Sequence, residues 1–265
     1  MKGPIQILLA LSLLALARPS GAQEASSPVA RTPVGSAPVV SAPAIRGKVV
    51  YERFCLSCHG DLGNGAGEFA DHIAVKPRDY RQGTFKWRST PSGALPLDAD
   101  LEKTIRDGIY GTYMPSWYAI GKGNRSDVIA YIKTFSPRWK TEQPPAAITI
   151  PPEPSYTDES VKRGRAIYER SNCAQCHGQS ALGDGPSAHE LKDDWGNPIV
   201  PYDLTQGHIK CGDTGADIYR VFITGLNGTP MPSYTDSISN DEAWDLVHYI
   251  QSLSALYSKN YSKKP

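Results

Sequence analysis

Apolar residues recur at helical spacing in several short segments, which are separated by long loops rich in glycine and proline. Asp98 is a plausible N-cap for one of these segments, and Gly108 is a plausible stop. No stretch alternates between apolar and polar residues as a half-buried strand does. The pattern therefore predicts an all-α protein. The predicted helical segments are residues 45–56, 98–108, 124–135, 159–172 and 239–254.

The order of these segments, and of the loops between them, occurs twice along the chain. Five blocks match in the same order, which indicates a duplicated domain. The matched blocks are 46–53 with 163–170, 79–86 with 203–210, 100–105 with 217–222, 111–117 with 228–234 and 128–132 with 246–250.

The duplication predicts two small helical domains joined by a linker with five prolines. A domain of this size with so much loop has a thin apolar core, and a large buried prosthetic group would help it to fold. The predicted boundaries are a first domain at 45–140, a linker at 141–158, a second domain at 159–256 and a tail at 257–265.

The N-terminus resembles a secretory signal peptide at residues 1–22. Lys2 precedes a short apolar run at 7–17, and small residues follow at 20–22. We expect cleavage there and export to the periplasm, with an uncleaved membrane anchor as the alternative. Residues 23–44 are rich in Ala, Ser, Pro and Val and are expected to form a disordered tether.

Cleavage would change the charge balance of the chain. The full sequence carries 28 Lys and Arg against 27 Asp and Glu. Loss of Lys2 and Arg18 would leave 26 basic residues and a net charge of −1. A nucleic-acid binder needs a basic face, so this balance argues against nucleic acid as a partner.

Each predicted domain begins with the motif C-x-x-C-H, the spacing of covalent haem c attachment. The thiols would bond to the porphyrin, and the histidine that follows would lie beneath the iron. Zinc binding by paired C-x-x-C motifs and a redox dithiol are alternatives. Neither alternative explains a histidine directly after both pairs at the head of both repeats. The residues are Cys55, Cys58 and His59 in the first motif and Cys173, Cys176 and His177 in the second.

Two methionines are candidates for the second axial ligand of each iron. Met114 lies 55 residues after His59, and Met231 lies 54 residues after His177. Both precede a proline at matched repeat positions. A methionine usually fills a core, but no other methionine would remain in the mature chain. We therefore predict His59 and Met114, and His177 and Met231, as the axial pairs.

The remaining histidines and the fifth cysteine lack such matches. We expect the histidines to be surface or packing residues, although a ligand role for one of them is the alternative. Cys211 aligns with Trp87 and is expected to be a free thiol, with a thiolate ligand to the second haem as the alternative. The histidines are His72, His189, His208 and His248.

A basic cluster in the first repeat contains candidates for contact with haem propionates. We single out Arg78 and Lys86 for this role, with a solvated basic loop as the alternative. The cluster is Lys76, Arg78, Arg81, Lys86 and Arg88.

On these motifs, each repeat resembles class I cytochrome c, and the whole chain resembles the tandem dihaem cytochromes of the bacterial periplasm. The resemblance covers roughly 45–140 and 160–255. It implies an all-α fold wrapped around two haem c groups. The strings at 76–80 and 88–93 look like those of dihaem cytochromes that serve as partners or subunits of respiratory enzymes. One departure is an extra residue between Tyr168 and Cys173.

The expected function is electron transfer between redox protein partners, either as a free carrier or as a subunit of a larger oxidoreductase at the membrane. With both irons fully ligated, no small-molecule substrate and no catalytic residue are expected. The alternative is a dihaem enzyme, either a peroxidase or a thiosulfate-oxidising cytochrome. Such an enzyme would need an open iron or a cysteine ligand.

Overall fold

The computed structural model describes residues 41–210 and 212–254. The described chain is helical. It contains one isolated β-bridge, between Lys192 and Pro198, and no β-strand. This confirms the predicted all-α class. The predicted signal peptide, Cys211 and the predicted tail at 257–265 lie outside the described residues, as does most of the predicted tether.

Four helices of the first half recur in the same order in the second half. Three 3₁₀ turns are also present at Ala70–His72, Tyr118–Ile120 and Ala188–Glu190. The α-helices are α1 (Ala42–Phe54), α2 (Leu56–His59), α3 (Asp98–Asp107), α4 (Gly121–Lys133), α5 (Arg138–Thr141), α6 (Asp158–Arg170), α7 (Cys173–His177), α8 (Gly215–Thr224) and α9 (Asn240–Ser252). The helices α1 to α4 recur as α6 to α9, and α5 has no counterpart among the described residues.

The starts of α1 and α4 and the N-cap of α3 differ from the sequence prediction. α4 begins at Gly121, three residues before the predicted start at 124. α1 begins at Ala42, inside the predicted tether, because the Ser41 hydroxyl accepts a hydrogen bond from the Ala44 amide and caps the helix. Asp98 is the first helical residue of α3 and not its N-cap. The carboxylate of Asp100 instead accepts a hydrogen bond from the backbone N–H of Leu97 at 2.9 Å. The predicted stop at Gly108 is confirmed by its positive φ of 72°.

The first and last helices of each half cross at a glycine. A Cβ on Gly47 would lie 1.9 Å from the Asp127 carbonyl oxygen, and one on Gly164 would lie 1.9 Å from that of Asp245. Only glycine therefore lets α1 approach α4, and α6 approach α9, this closely. Tyr131 and Tyr249 lie beside these crossings.

The extra residue before the second cysteine motif is absorbed in a turn. α6 ends at Arg170, and Asn172 adopts the left-handed conformation with φ of 56°. Asparagine tolerates this region better than most residues. The helix register is preserved, because Tyr168 still donates to the Gly178 carbonyl at 2.7 Å, as Tyr51 does to Gly60.

Each half has its own apolar core. Val128, Ile129 and Ile132 of α4 are buried in the first, and Val247 and Ile250 of α9 are buried in the second. Within the described ranges, no helix has the length and apolar character needed to cross a membrane.

The two halves also touch. The Arg88 side chain is buried and donates to the Thr224 and Gly225 carbonyl oxygens at the end of α8. A guanidinium in this position satisfies helix carbonyls that have no partner within the helix. Lys103 of α3 lies 3.9 Å from the carboxylate of Asp217 in α8. The two halves therefore share a polar contact surface.

Candidate cofactor sites

The first cysteine motif lies at the junction of α1 and α2. Cys55 ends α1, and its carbonyl oxygen accepts a hydrogen bond from the His59 amide at 2.9 Å. This single turn places Cys55, Cys58 and His59 on the wall of one cleft.

That cleft is mostly apolar and also contains Met114. It encloses about 1310 Å³ between atoms, counting the part open to solvent. Its apolar walls include Phe54, Ile73, Leu101, Ile105, Trp117 and Ile132.

The His59 ring is held in one orientation. Its Nδ1 lies 3.1 Å from the Arg78 carbonyl oxygen, which can only accept, so Nδ1 carries the proton. Nε2 therefore has a lone pair, and it accepts a hydrogen bond from the Tyr80 hydroxyl at 3.1 Å. Burial lowers the pKa of His59 to about 4, and the ring is neutral at neutral pH. A neutral imidazole oriented by a carbonyl is what a metal-binding histidine requires.

The cysteines differ from those of a redox dithiol. Cys55, Cys58, Cys173 and Cys176 are all free. Burial raises the pKa of Cys55 to about 12 and that of Cys173 to about 11. Reactive C-x-x-C dithiols instead have a lowered thiol pKa. This environment does not support the redox-dithiol alternative.

The second motif is built in the same way. α7 carries Cys173, Cys176 and His177. Burial lowers the pKa of His177, and the Tyr202 backbone opposes part of that effect. Tyr202 occupies the repeat position of Arg78. Within the described residues, however, Nδ1 of His177 has no hydrogen-bond partner, whereas Nδ1 of His59 is fixed by the Arg78 carbonyl.

The methionine loops of the two halves have the same pattern of hydrogen bonds. The Met114 amide donates to the Thr112 hydroxyl at 3.1 Å, and the Met231 amide to the Thr229 hydroxyl at 3.3 Å. Each methionine carbonyl also accepts a backbone hydrogen bond, from Ile109 at 2.9 Å and from Leu226 at 3.0 Å. Met114 and Met231 each pack against the core of their own half.

This donor set fits a haem better than zinc. In residues 41–210 and 212–254, no three His, Cys, Asp or Glu side chains converge as a metal-binding group. In the first cleft, two thiols, an oriented neutral imidazole and a thioether instead line one apolar space. These are the groups that covalent attachment and axial ligation of a haem require.

The basic cluster divides into three groups. Arg81 is paired with Asp79 at 2.7 Å, and Arg88 is buried against α8. Lys76, Arg78 and Lys86 line the first cleft. The structure thus brings both predicted propionate residues, Arg78 and Lys86, to the same cleft as His59.

The other histidines lie apart from the cysteine motifs. His72 and His189 are exposed. His208 pairs with Asp213 at 2.8 Å, and His248 is fully buried with its Nδ1 2.7 Å from the Ser160 hydroxyl. These positions agree with surface and packing roles.

Sequence reasoning missed two residues at the first cleft, namely Lys210, which lines it, and Trp195, which covers Arg78. The Trp195 ring lies over the Arg78 guanidinium, 4.4 Å from its centroid. Trp195 lies in an insertion of the second half. Asp203 follows His177 by 26 residues, whereas the equivalent Asp79 follows His59 by 20. That difference in length was the available signal.

Comparison with known proteins identifies the same two segments. The family model described as Cytochrome c matches residues 44–136 and again residues 161–254. A chain of the solved Kuenenia stuttgartiensis reducing HAO-like protein complex Kustc0457/Kustc0458 is 40% identical, with a TM-score of 0.78. That alignment covers 82% of this chain and 97% of the solved one.

A curated relative is the cbb3-type cytochrome c oxidase subunit FixP of Azorhizobium caulinodans. It is 24% identical over 215 residues, which cover 78% of this chain. The match spans 58% of the length of FixP.

Proposed function

Because the chain belongs to the cytochrome c family, we propose that it carries electrons on two covalently attached haem c groups, one in each half. The attachment residues would be Cys55 and Cys58 in the first half and Cys173 and Cys176 in the second. When bound, each haem supplies one-electron oxidation and reduction at its iron. The protein residues hold and bury the group.

The observation that carries this proposal is the oriented histidine and the methionine that line the first cleft, together with the matched cysteine motif and methionine loop of the second half. His59 and Met114 line one cleft, and the Met231 loop reproduces the hydrogen bonds of the Met114 loop. We assign these two residues, with His177 and Met231, as axial ligands. Methionine paired with histidine raises the potential in cytochromes c.

The surrounding residues keep the imidazoles neutral and restrict access of water. The backbone carbonyl of Arg78 holds a proton at Nδ1 of His59, which leaves Nε2 of that ring as the ligand atom. Burial lowers the pKa of His177 and so favours its neutral ring as well. Apolar walls such as Leu101 and Ile105 lower the local polarity, which also affects the potential.

Full ligation of both irons favours a carrier over an enzyme. A peroxidase or thiosulfate-oxidising enzyme would need an open coordination position or a cysteine ligand. Neither methionine loop differs from the other in a way that would free one iron. Electron carriers instead expose part of a cofactor and bind their partners briefly through small interfaces.

The named relatives support redox protein partners. One belongs to a cytochrome oxidase and the other to an HAO-like complex. We propose that this chain exchanges electrons with respiratory partners, either freely or as a subunit of an oxidoreductase complex. On the N-terminal pattern we place it in the periplasm. Attachment to the membrane would come from a partner or from an uncleaved signal.

Replacement of Met231 tests the ligand assignment. In Met231→Ala we expect the midpoint potential of one haem to fall by on the order of 0.1 V or more, within the roughly 0.8 V that axial ligation spans. The other potential should stay nearly unchanged. Met114→Ala is the matched variant and should shift the other haem. Potentials come from a spectroelectrochemical titration, and two unchanged potentials in Met231→Ala would refute the assignment.

A further inference from the structure

The wall of the first cleft is not built by the first half alone. Lys210, from the second half, lines the same cleft as His59 and Met114. Lys210 occupies the repeat position of Lys86, which also lines it. The two equivalent lysines therefore meet where the halves touch.

The second half also fixes the position of Arg78. The Trp195 ring covers the guanidinium, and the Asp193 and Asp194 carboxylates exert a favourable field on it. The Asp194 amide donates to the Gly228 carbonyl at 3.2 Å, which ties this loop to the Met231 loop. A Cβ on Gly228 would lie 2.7 Å from the Trp195 ring and 2.9 Å from Arg78 Nη1. A larger residue at 228 would disturb this packing.

Gathering these cations costs free energy. Burial lowers the pKa of Arg78, lowers that of Lys86 to about 8, and lowers that of Lys210. Lys86 also experiences repulsion from both Arg78 and Lys210. Buried like charges are stabilised when an anionic group is bound among them. The apolar cleft that ends in these cations therefore suits a flat apolar group with acidic substituents.

We propose that the second half completes the haem site of the first. Lys210 supplies a positive charge to the propionates of the first haem beside Arg78 and Lys86, and Trp195 acts as a positioning residue that holds Arg78. This inference rests on the proposed function, since it requires a haem in the first cleft.

The expected consequence is an effect of the second half on the potential of the first haem. A nearby positive charge favours the reduced iron, which carries one positive charge fewer. The Lys210 ammonium also lies over the Tyr202 ring at 5.1 Å. Lys210 therefore lies between the first cleft and Tyr202 of the second half.

The test is a spectroelectrochemical titration of the full-length holoprotein with Lys210→Gln. We expect the reduction equilibrium of one haem to fall about three- to tenfold, or about 30–60 mV for a one-electron couple. That haem must be the one that Met114→Ala shifts. Lys210→Arg should restore the potential. Lys162→Gln, which removes an exposed charge from α6, should leave both potentials unchanged.

Trp195 provides a second test. Trp195→Leu should lower the same potential, whereas Trp195→Phe, which keeps a ring over Arg78, should restore most of it. Two unchanged potentials in Lys210→Gln, or a shift confined to the haem that responds to Met231→Ala, would overturn the inference. The haem content, measured by a pyridine haemochrome assay, separates failure of this inference from failure of the proposed function. Fewer than two haems in the unmodified protein would refute the proposed function instead.

Discussion

The two halves of the chain share a backbone framework but differ in the side chains around their histidines. In both, a glycine allows two helices to cross against a backbone carbonyl. In the first half, the Tyr80 ring stacks on His59 at 4.7 Å. Leu204 occupies this repeat position in the second half. There, Tyr234 replaces Trp117 and makes a hydrogen bond with the Cys173 thiol.

This comparison indicates which features the fold requires. Backbone contacts such as the helix crossing cannot change without moving a helix, whereas a ring beside a histidine can be exchanged. The groups around a haem tune its potential through hydrogen bonding and polarity. The shared framework therefore predicts the same type of ligation in both halves, and the divergent surroundings predict two different potentials.

The helix crossings should show the largest effect on stability. Gly47→Ala and Gly164→Ala each place a methyl group 1.9 Å from a backbone oxygen. We expect each substitution to lower the free energy of unfolding by about 3 kcal/mol, as overpacking against a rigid group does. Gly123→Ala is the control, because its Cβ meets nothing within 4 Å, and it should stabilise α4 by up to about 1 kcal/mol. Chemical denaturation would measure all three. A loss in one copy only would break the equivalence of the halves.

The contact between the halves should show an intermediate effect. Arg88→Met removes the donor of the Thr224 carbonyl oxygen, whereas the Gly225 carbonyl oxygen keeps a hydrogen bond from the Thr224 hydroxyl at 3.2 Å. We expect a loss of about 1–3 kcal/mol and a separation of the unfolding of the two halves in calorimetry. Arg165→Met removes an exposed guanidinium paired with Glu169 and should cost no more than about 0.5 kcal/mol. Equal losses in the two variants would show that Arg88 does not join the halves.

The dependence of stability on pH should show a smaller effect, which comes from the second half alone. His248 is fully buried, and Ala130 occupies its repeat position. Burial lowers the pKa of His248 below its ordinary 6.5, although Glu153 lies 3.6 Å from its Nε2. The unfolded chain therefore binds a proton before the folded chain does, and stability present above pH 6.5 is lost as the pH falls below it.

The variant His248→Ala isolates this contribution. It removes packing, so the unmodified protein should be more stable at pH 8. That advantage should shrink toward pH 5, by no more than about 1.4 kcal/mol per pH unit. Denaturation curves at both values measure the difference. An advantage that stays constant with pH would contradict the role of buried, neutral His248.

Much of the fold follows from the sequence because the relevant signals are local. The helical period placed α1, α3, α4, α6 and α9 to within a few residues. The N-cap of α3 was misassigned because Asp98 and Asp100 are both good capping residues. Only the geometry shows that Asp100 reaches the Leu97 amide.

The candidate site, too, could be predicted only in part from the sequence. The cysteine motifs and methionines could be found from their spacing and repetition, and their ligand roles remain predictions. The longer segment before Asp203 marked an insertion around Trp195, but neither its contact with Arg78 nor the place of Lys210 in the first cleft could be found, because both depend on how the two halves pack. No periodic pattern within one repeat encodes a contact with the other.

The measurement that tests the central claim most directly is the far-red absorption of the oxidised protein, scaled to its haem content. Ferric haem with a methionine ligand has a weak charge-transfer band in this region. We predict the intensity of two such haems per chain, since Met114 and Met231 lie in matched loops. An intensity corresponding to one haem or none would contradict the assignment of histidine and methionine to both irons.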